Sequence, residues 1–457
     1  MEEETVSLII EDEQILVDKQ TLVNHSQYFR AMFSSGMRES TQKSVVLHDV
    51  TVDVIRKLLN FFQTGQLTFE QSGTQEILTT AIFLQMDDVI SHAKMSVTVE
   101  NAAEMFEVAD LHFLPDLEKA TLRHLSINYL ELLRSNTFER LTEEQQEAVR
   151  SLRFGGKDTI CTIGSYDKDV HLTQDAPRTM HLLDVQTGDW TPYCDVPSSF
   201  STNACGVASL HNYLFLTGGF TSFKSDQMQK SSICFDVLTH KWTPFAAMTD
   251  SRANFAFIGL GNTLYAIGGN QLCRSCGSNT KALASVEAYD LRKGSWKRLE
   301  PLPTDMIKPC VAVCMGKIYI TLSFDNGEKL YTLLQCTGQW RRVSTVRKSR
   351  FVFSMSSVHD TLYLIGGRPG DFSCYNVTTG QWSTLFKSYS EQYLDDCVSL
   401  GDTVFMVSSN ATQCYNVKSR LWDCYRIPGS PTNGYMRTRV INISPRNISK
   451  LEIEHEK

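Results

Sequence analysis

The chain has 457 residues and a formal net charge of −7, with 42% hydrophobic and 21% charged residues. This length allows two or three domains with sizeable cores, and the composition is that of a soluble protein without an apolar run long enough to span a bilayer. The acidic start MEEETVSLIIEDEQ is unlike the basic start of a secretory signal, so we expect a protein of the cytosol or nucleus.

Charge and cysteine content divide the chain into two parts. Residues 1–153 hold 25 acidic and 13 basic side chains, a net of −12, whereas the rest of the chain holds 26 acidic and 31 basic side chains, a net of +5. This predicts two domains with different partners, and the basic excess is too small to indicate nucleic-acid binding. All thirteen cysteines lie from Cys161 onward, an odd number on strand-like segments, which indicates reduced and packed thiols rather than a disulfide framework.

The first part of the chain predicts a small α/β unit that ends near Val97. Residues 6–17 alternate as two short strands around an acidic turn. Ser26 can cap the next helix, whose apolar stripe is formed by Tyr28, Phe29, Met32 and Phe33. After a β-run, a second helix ends at Gly65, and its inward residues are Ile55, Leu58, Leu59 and Phe62. A third helical stretch runs from Thr74 to Lys94.

Three segments of this unit resemble the BTB (POZ) fold, and the resemblance covers nearly all of residues 5–96. The segments are YFRAMFSSGMRES, NFFQTGQL and AIFLQMDDVISHAK. In kelch-family BTB domains, a hydrophobic residue, any residue and a glutamate after the first of these helices engage cullin-3. Those positions are Met37, Arg38 and Glu39 in this chain. Met37 would fill an apolar groove of the partner, and Glu39 would fix local geometry or accept hydrogen bonds. The alternative is an ordinary solvated loop.

The resemblance also implies a homodimer through the BTB domain. The family usually has an extra helix and strand before the run that begins at Val6, and subunits exchange those elements in the dimer. This sequence starts too late to supply them, and it has Asp18 where the family commonly has histidine. Homodimerisation is therefore less strongly implied than cullin-3 binding.

Residues 98–153 show helical spacing throughout. Asp116 is expected to cap the second helix of this segment, and Thr142 is expected to begin the third, followed by Glu143 and Glu144 at the positive end of the helix dipole. The segment resembles the opening helices of the BACK domain, which extend the cullin-binding surface. Because a full BACK domain is roughly twice as long, we expect a truncated one.

From Asp158 onward a sequence motif repeats: a β-run ending in Gly-Gly, a second β-run, and a tryptophan. YLFLTGGF, TLYAIGGN and TLYLIGGR are the clearest copies, and the six tryptophans follow one another at intervals of 40 to 54 residues. A fixed period of this size predicts a repeat architecture. We count six units, of which the fourth lacks the glycine pair at Thr321 and Leu322 and the sixth has Ser408 and Ser409 instead.

This half of the chain resembles the kelch β-propeller, in which the glycines allow tight packing and positive φ and the tryptophan opens the fourth strand of each blade. The predicted fold class is multidomain, α+β followed by all-β. We expect a BTB/POZ α/β domain at 5–97, a short helical BACK segment at 98–153, a six-bladed kelch propeller at 158–445 and a tail at 446–457. Only the first unit lacks a β-run before its glycine position, so the final run YMRTRVINIS is predicted to pair into the first blade as its innermost strand and close the ring.

The loops after the glycine pairs and between blades should emerge on one face of the propeller. Converging basic and aromatic residues there would suit an acidic or phosphorylated segment of a substrate protein. The alternative for each residue is a solvated loop. The predicted substrate-binding residues are Phe220, Phe223, Lys224, Arg252, Asn254, Asn270, Arg274, Lys308, Arg350, Arg368 and Phe372.

No catalytic motif stands out in the sequence, which predicts a non-enzymatic protein without a cofactor or resident metal. Four cysteines leave two weaker hypotheses open, a zinc site and a redox role for the first two of them, Cys273, Cys276, Cys310 and Cys314. The combined order BTB, short BACK and kelch resembles the substrate-recruiting adaptors of cullin-3 RING ubiquitin ligases, which would bind cullin-3 and a substrate protein but neither nucleic acid nor membrane. The alternative function is a cytoskeletal, actin-associated or other scaffolding protein without a ligase role.

Overall fold

The computed structural model describes residues 4–34, 42–164, 166–167, 178–221, 227–273, 280–325, 327–346, 352–366, 372–385, 395–433 and 436–444. The chain divides into two compact units, Met1–Leu152 and Arg153–Lys457. Among the helices within these ranges, none has the length and apolar character needed to cross a membrane.

Unit one combines a three-stranded sheet with ten helices among its described residues. Strand β1 is central, pairing antiparallel with β2 and parallel with β3. The alternation predicted around the acidic turn is confirmed, because Val6, Leu8 and Ile10 of β1 face the core. The elements are β1 Thr5–Ile10, β2 Glu13–Asp18, α1 Lys19–His25, α2 Gln27–Ser34, β3 Ser44–Leu47, α3 Val52–Thr64, α4 Thr74–Phe83, α5 Asp87–Met95, α6 Ala102–Leu111, α7 Pro115–Ile127, α8 Tyr129–Arg134, α9 Thr137–Arg140 and α10 Glu143–Arg153.

Local capping explains where several of these helices begin and end. Asp18 accepts a hydrogen bond from the Thr21 N–H at 2.8 Å and so caps α1. The predicted cap at Ser26 is confirmed, since its Oγ accepts from the Phe29 N–H at 3.1 Å. Gly65 ends α3 with φ of 70°, as predicted. The stretch predicted as one helix from Thr74 is two helices, because the chain turns at Gln85 with φ of 51°.

The helices after Val97 share part of the core of the sheet domain. Met105, Val108 and Leu117 lie in the same buried cluster as β1 and α3. The predicted start at Thr142 is confirmed, because its Oγ1 accepts from the Gln145 N–H at 3.2 Å. The predicted cap at Asp116 is wrong, since α7 begins one residue earlier at Pro115, whose missing N–H suits the first helical turn.

Unit two is built from small antiparallel sheets. Its strands are β4 Lys157–Ile163, β5 Tyr166–Asp167, β6 Thr179–Leu183, β7 Trp190–Asp195, β8 Gly206–Leu210, β9 Tyr213–Thr217, β10 Ser232–Asp236, β11 Lys241–Pro244, β12 Ala256–Leu260, β13 Thr263–Ile267, β14 Asn270–Leu272, β15 Thr280–Ala282, β16 Val286–Asp290, β17 Ser295–Leu299, β18 Cys310–Cys314, β19 Lys317–Phe324, β20 Gly327–Leu334, β21 Gln339–Thr345, β22 Val352–Val358, β23 Thr361–Gly366, β24 Phe372–Asn376, β25 Trp382–Leu385, β26 Asp396–Leu400, β27 Thr403–Val407, β28 Ala411–Asn416, β29 Leu421–Pro428, β30 Thr432–Asn433 and β31 Arg437–Ile443.

Six of these sheets have four strands, and we number them in chain order. Sheet one has the order β31-β4-β6-β7, sheet two β8 to β11, sheet three β12-β13-β16-β17, sheet four β18 to β21, sheet five β22 to β25 and sheet six β26 to β29. The pairs β14-β15 and β5-β30 form two smaller sheets. Buried clusters lie between neighbouring sheets, as between sheets three and four, so each sheet depends on the next for its core.

The predicted pairing of the C-terminal run into the first sheet is confirmed. β31 pairs antiparallel with β4 over its whole length, from Arg437 opposite Ile163 to Ile443 opposite Lys157. Asn442 fixes this register, because its side chain accepts from the Gly156 N–H at 2.7 Å and its N–H donates to Asn212 in sheet two at 2.9 Å. The first sheet is therefore assembled from both ends of unit two.

The first strands of the six sheets, β31, β8, β12, β18, β22 and β26, lie against one another in a closed cycle, and we call them the innermost strands. The glycine pairs pack against the start of an innermost strand, because a Cβ on Gly269 would lie 2.6 Å from the Ala253 carbonyl oxygen. Each tryptophan is the first or second residue of its fourth strand, and some bond to the preceding sheet, as Trp242 Nε1 does to the Asp195 carbonyl at 3.0 Å. These residues are structural, as predicted.

The two repeats without glycine pairs, which form sheets four and six, keep four strands but differ in the turn between the second and third strand. In sheet four, β19 and β20 continue as an uninterrupted hairpin up to Phe324 opposite Gly327. In sheet six, Ser408 closes a short turn, since its N–H donates to the Ala411 carbonyl at 3.1 Å and its Oγ accepts from the Ala411 N–H at 3.1 Å.

Candidate binding site at the mouth of the central cavity

The innermost strands of all six sheets surround a cavity of about 670 Å³ in unit two. This volume lies within the usual range of small-molecule sites, about 300–1,000 Å³. Its wall combines hydroxyl groups, apolar side chains and five charged residues, namely Lys308, Asp395, Asp396, Arg437 and Arg439. The innermost strands all begin at one end of this cavity, which we call the mouth.

The backbone at the mouth is held in an unusual conformation. Ala204, Asn254 and Lys308 precede the innermost strands of sheets two, three and four, with φ of 54°, 52° and 53°. Backbone hydrogen bonds connect these three residues in a row. The Asn254 N–H donates to the Ala204 carbonyl at 3.0 Å, and the Lys308 N–H donates to the Asn254 carbonyl at 2.8 Å. Left-handed residues are costly unless neighbouring contacts hold them, so this chain of hydrogen bonds fixes where the Lys308 side chain starts.

One pair of charges on the wall is neutralised internally. The Asp396 carboxylate accepts from Arg439 Nη1 at 3.2 Å, from the Thr438 N–H at 2.8 Å and from Ser354 Oγ at 2.9 Å. Arg439 also donates from Nε to the Val207 carbonyl at 2.9 Å. Burial lowers the pKa of Arg439 and the charge of Asp396 opposes that shift, as expected for an ion pair removed from water.

The other three charged groups, Lys308, Asp395 and Arg437, influence one another electrostatically. Partial burial of the Lys308 ammonium and then the nearby charge of Arg437 lower the pKa of Lys308, although the residue keeps an exposed surface. Burial raises the pKa of Asp395, against a hydrogen bond from the Ser409 N–H and the charges of Arg437 and Lys308. Two cations and one carboxylate therefore share this part of the wall, an arrangement that favours an anionic ligand.

Four residues predicted to lie on the partner-binding loops are buried instead, and that prediction is wrong for them. Arg252 is 0% exposed and forms an ion pair with the equally buried Glu287. Asn254 and Asn270 are buried together and bond through their side chains at 3.2 Å. Phe372 is 2% exposed and packs among Tyr363, Tyr415 and Trp422. The repeat places these positions at strand ends, where they pack between sheets.

Two other predicted residues are accessible at least in part. Lys308 is exposed at the mouth, and Phe220 is half-buried in a β-bridge with Met228. The remaining loop residues lie outside the described ranges, and so do the predicted cullin-binding positions, namely Phe223, Lys224, Arg274, Arg350, Arg368, Met37 and Glu39.

The described cysteines are mostly free thiols, as expected, with one exception. Cys273, for which a redox role was left open, is disulfide-bonded, and Cys276 lies outside the described residues. Cys310 and Cys314 donate their S–H groups to the carbonyls of Val352 and His359, at 3.1 and 3.4 Å. Burial raises the pKa of Cys310 to about 12, so this thiol is protonated at neutral pH in the metal-free chain. Within the part of the chain that the structure describes, no group of three potential ligands could hold a metal ion.

The sequence interpretation missed Arg437, Arg439, Asp395 and Asp396 as residues of the site, because it searched loops rather than strands. A usable signal was present. YMRTRVINIS was already assigned as an innermost strand, and two arginines are rare on a strand expected to line the centre of a closed ring.

Comparison with known proteins gives matches to both units. A family described as BTB/POZ domain matches residues 2–124, and one described as Kelch motif matches residues 251–303, which include sheet three. Similar proteins include human Kelch repeat and BTB domain-containing protein 13, which is 26% identical over 94% of this chain and 93% of its own length. Human Kelch-like protein 42 is 25% identical over 93% of this chain and 95% of its own length, and Kelch-like protein 26 of Danio rerio is 23% identical over 92% and 87%. Both family matches and these similar proteins support the kelch-like BTB-kelch family for this chain.

Proposed function

We propose that this protein is a substrate-recruiting, non-catalytic adaptor of a cullin-3 RING ubiquitin ligase. The observation that carries the proposal is the presence in one chain of a BTB/POZ match at residues 2–124 and a Kelch motif match in a second compact unit. In this mechanism, unit one binds cullin-3 and unit two binds the protein to be ubiquitinated. The adaptor accelerates the reaction by raising the effective concentration of substrate near the charged ubiquitin carrier.

The architecture proposed with this function is a six-bladed kelch propeller in which the six four-stranded sheets are the blades. The closed cycle of innermost strands and the pairing of β31 with β4 support it. The helices between residues 98 and 153 would be a shortened BACK segment. Their packing on the core of the sheet domain supports a continuous surface of BTB and BACK helices.

The cullin-binding surface is proposed to centre on Met37 and Glu39, just beyond the C-terminal end of α2 at Ser34. Tyr28 and Phe29 anchor α2 in the core, so the segment that follows starts from a fixed helix. Phe83 is 52% exposed and its ring lies 5.7 Å from that of Tyr28. An exposed aromatic side chain beside this helix supplies apolar surface of the kind that an inserting partner helix buries.

The substrate-binding surface is proposed to be the mouth side of unit two. Lys308 and Arg437 are its described cations. The predicted loop residues Lys224, Arg274, Arg350 and Arg368 follow glycine pairs or precede innermost strands, so they would add positive charge around the mouth. An acidic segment of a substrate protein suits this charge.

The test is the affinity of the purified full chain for the N-terminal region of cullin-3. We expect sub-micromolar binding that Met37→Asp abolishes, because a carboxylate cannot enter an apolar groove without losing its hydration. Met315→Asp is the matched control, since Met315 is 64% exposed in unit two and should leave the affinity unchanged. No binding at high micromolar concentration would exclude the ligase role and leave a scaffolding protein as the better explanation.

A further inference from the structure

We propose that the central cavity of unit two is a binding site for a small molecule that carries an oxyanion, either a carboxylate or a phosphate. This goes beyond recruitment of a substrate protein and does not depend on cullin-3 binding. Arg437, the first residue of β31, lines the cavity. A guanidinium offers five N–H donors in a planar fork that matches such groups.

Within the part of the chain that the structure describes, Arg437 has a partner for only one of its side-chain nitrogen atoms. Its Nη1 donates to the Met436 carbonyl at 3.0 Å. Among the described residues, no carboxylate lies within the 4.0 Å of an ion pair from it. Arg439, two residues along the same strand, shows the contrasting case, because Asp396 is bonded to it at 3.2 Å. As far as the described ranges extend, the strand thus carries one arginine that is ion-paired with a carboxylate and one that is not.

The charge around Arg437 points to an anion rather than a cation. With the Arg439–Asp396 pair counted as neutral, the described lining retains Lys308 and Arg437 against Asp395, an excess of one positive charge. Charges that share a cavity wall of low dielectric interact more strongly than they would in water. An oxyanion placed between Lys308 and Arg437 would relieve their mutual repulsion, which is one cause of the lowered pKa of Lys308.

Neutral donors are also present on the same wall. The hydroxyls of Ser356 and Ser399, 2.6 Å apart, lie further along the lining.

The size of the cavity favours a small molecule over a protein as the occupant. At about 670 Å³ it can enclose a compact organic anion on most sides. A stable protein partner would need roughly 800 Å² of its own surface, which must come from loops outside the cavity. The two binding events are therefore separable by experiment.

The experiment measures binding of inorganic phosphate and of citrate to the full chain by calorimetry in an anion-poor buffer. We expect saturable binding with a Kd of about 1 mM or tighter for at least one probe. Arg437→Gln should weaken it about tenfold or more, because a charge-assisted hydrogen bond is lost. Arg341→Gln is the matched control, since Arg341 is exposed on the outer strand β21. Lys308→Gln is a second variant, and melting curves identify any variant that does not fold.

Three results would overturn the proposal. Neither probe binds the wild-type chain, or both bind all folded variants equally, in which case the anion lies elsewhere. In the third, a hexaglutamate peptide binds in an Arg437-dependent way while phosphate and citrate do not, so that the cavity serves only a protein partner. None of these results alters the cullin-3 measurement, which is made on the full chain and depends on Met37 in unit one, so the two proposals fail independently.

Discussion

Sheets three and four each bury a glutamate, Glu287 at 0% exposure and Glu328 at 2%, but the two carboxylates differ in their hydrogen-bond partners. The Glu287 carboxylate is bonded by Arg252 and by the Thr249 and Asp250 N–H groups. Glu328 accepts on Oε1 from the Val352 N–H at 2.9 Å, but its Oε2 has no partner among the described residues. Neighbouring sheets of one repeat fold can therefore surround a buried carboxylate with very different partners.

The glycine pair explains part of this difference. In sheet three, Gly268 and Gly269 leave the strand with φ of 63° and 96°, and the Gly268 carbonyl accepts from Arg252 Nη1 at 3.0 Å. In sheet four the corresponding residues stay in strand conformation and extend the hairpin, which carries Glu328 near its end. Losing the glycines thus removes the turn that holds the arginine site.

The two glutamates consequently have opposite pKa shifts. Burial raises the pKa of Glu287, but Arg252 and the hydrogen bonds outweigh it, so the net shift is downward. Burial raises the pKa of Glu328, and its two hydrogen bonds only reduce that shift. Glu287 therefore contributes stability above its unfolded pKa that is lost as pH falls through its lowered folded value. Glu328 contributes stability only below its unfolded pKa, and this is lost as pH rises through its raised folded value.

The largest expected effect comes from removing the cation of sheet three. Arg252→Met should lower the free energy of unfolding by about 3–5 kcal/mol at neutral pH, because it leaves Glu287 buried without a counter-ion. Denaturant unfolding of the full chain, followed by tryptophan fluorescence, measures this loss. The double variant Arg252→Met/Glu287→Gln should recover part of it, since an amide is cheaper to bury than a carboxylate. Equal losses in the single and double variants would show that the ion pair is not the cause.

The second largest expected effect comes from the glycine turn of sheet three. Gly269→Ala should cost about 2–3 kcal/mol, because the new Cβ would lie 2.6 Å from the Ala253 carbonyl oxygen at a residue with φ of 96°. Gly261→Ala is the control, since Gly261 also has positive φ but its Cβ would meet nothing within 4 Å. The control should lose only about 1 kcal/mol in the same unfolding experiment. Equal costs would mean that backbone conformation matters and close packing does not.

Part of the fold of both sheets could be predicted from the sequence. The glycine pairs and tryptophans predicted six repeats, the resemblance to the kelch propeller implied the strand on which each motif lies, and the unpaired run at the C-terminus predicted the partner of β4. These features follow from local patterns and from the need to cover sheet edges. The pairing of Arg252 with Glu287 joins residues 35 positions apart, and no local pattern specifies it.

The candidate site was harder to predict for the same reason. Arg252, Asn254 and Lys308 occupy similar positions before or beside innermost strands, yet the first two are buried and the third is exposed. Which of them reaches solvent depends on contacts with residues far away in the sequence, such as the hydrogen bond from Arg252 to the Ser285 carbonyl. Arg437 was overlooked because a residue of a closing strand was interpreted only as structural.

The smallest expected effect is a gain in the free energy of unfolding, whereas the other two variants should lose stability. Glu328→Gln should raise the free energy of unfolding by about 1 kcal/mol near neutral pH, because the variant removes a buried charge while its Oε1 can still accept from the Val352 N–H. The gain is limited because the amide nitrogen then takes the position that lacks a partner.

The pH dependence of that gain distinguishes charge from packing. Below the unfolded glutamate pKa of about 4.3, Glu328 is protonated in both states and closely resembles glutamine, so the variant and the wild type should have equal stability there. As pH rises through the raised folded pKa of Glu328, the wild type alone loses stability and the difference should grow. Glu287→Gln is the matched control, and its cost should grow over the pH range above the lowered folded pKa of Glu287. A stabilisation by Glu328→Gln that is the same at all pH values would show that the shape of the side chain, and not its charge, sets the difference between the two sheets.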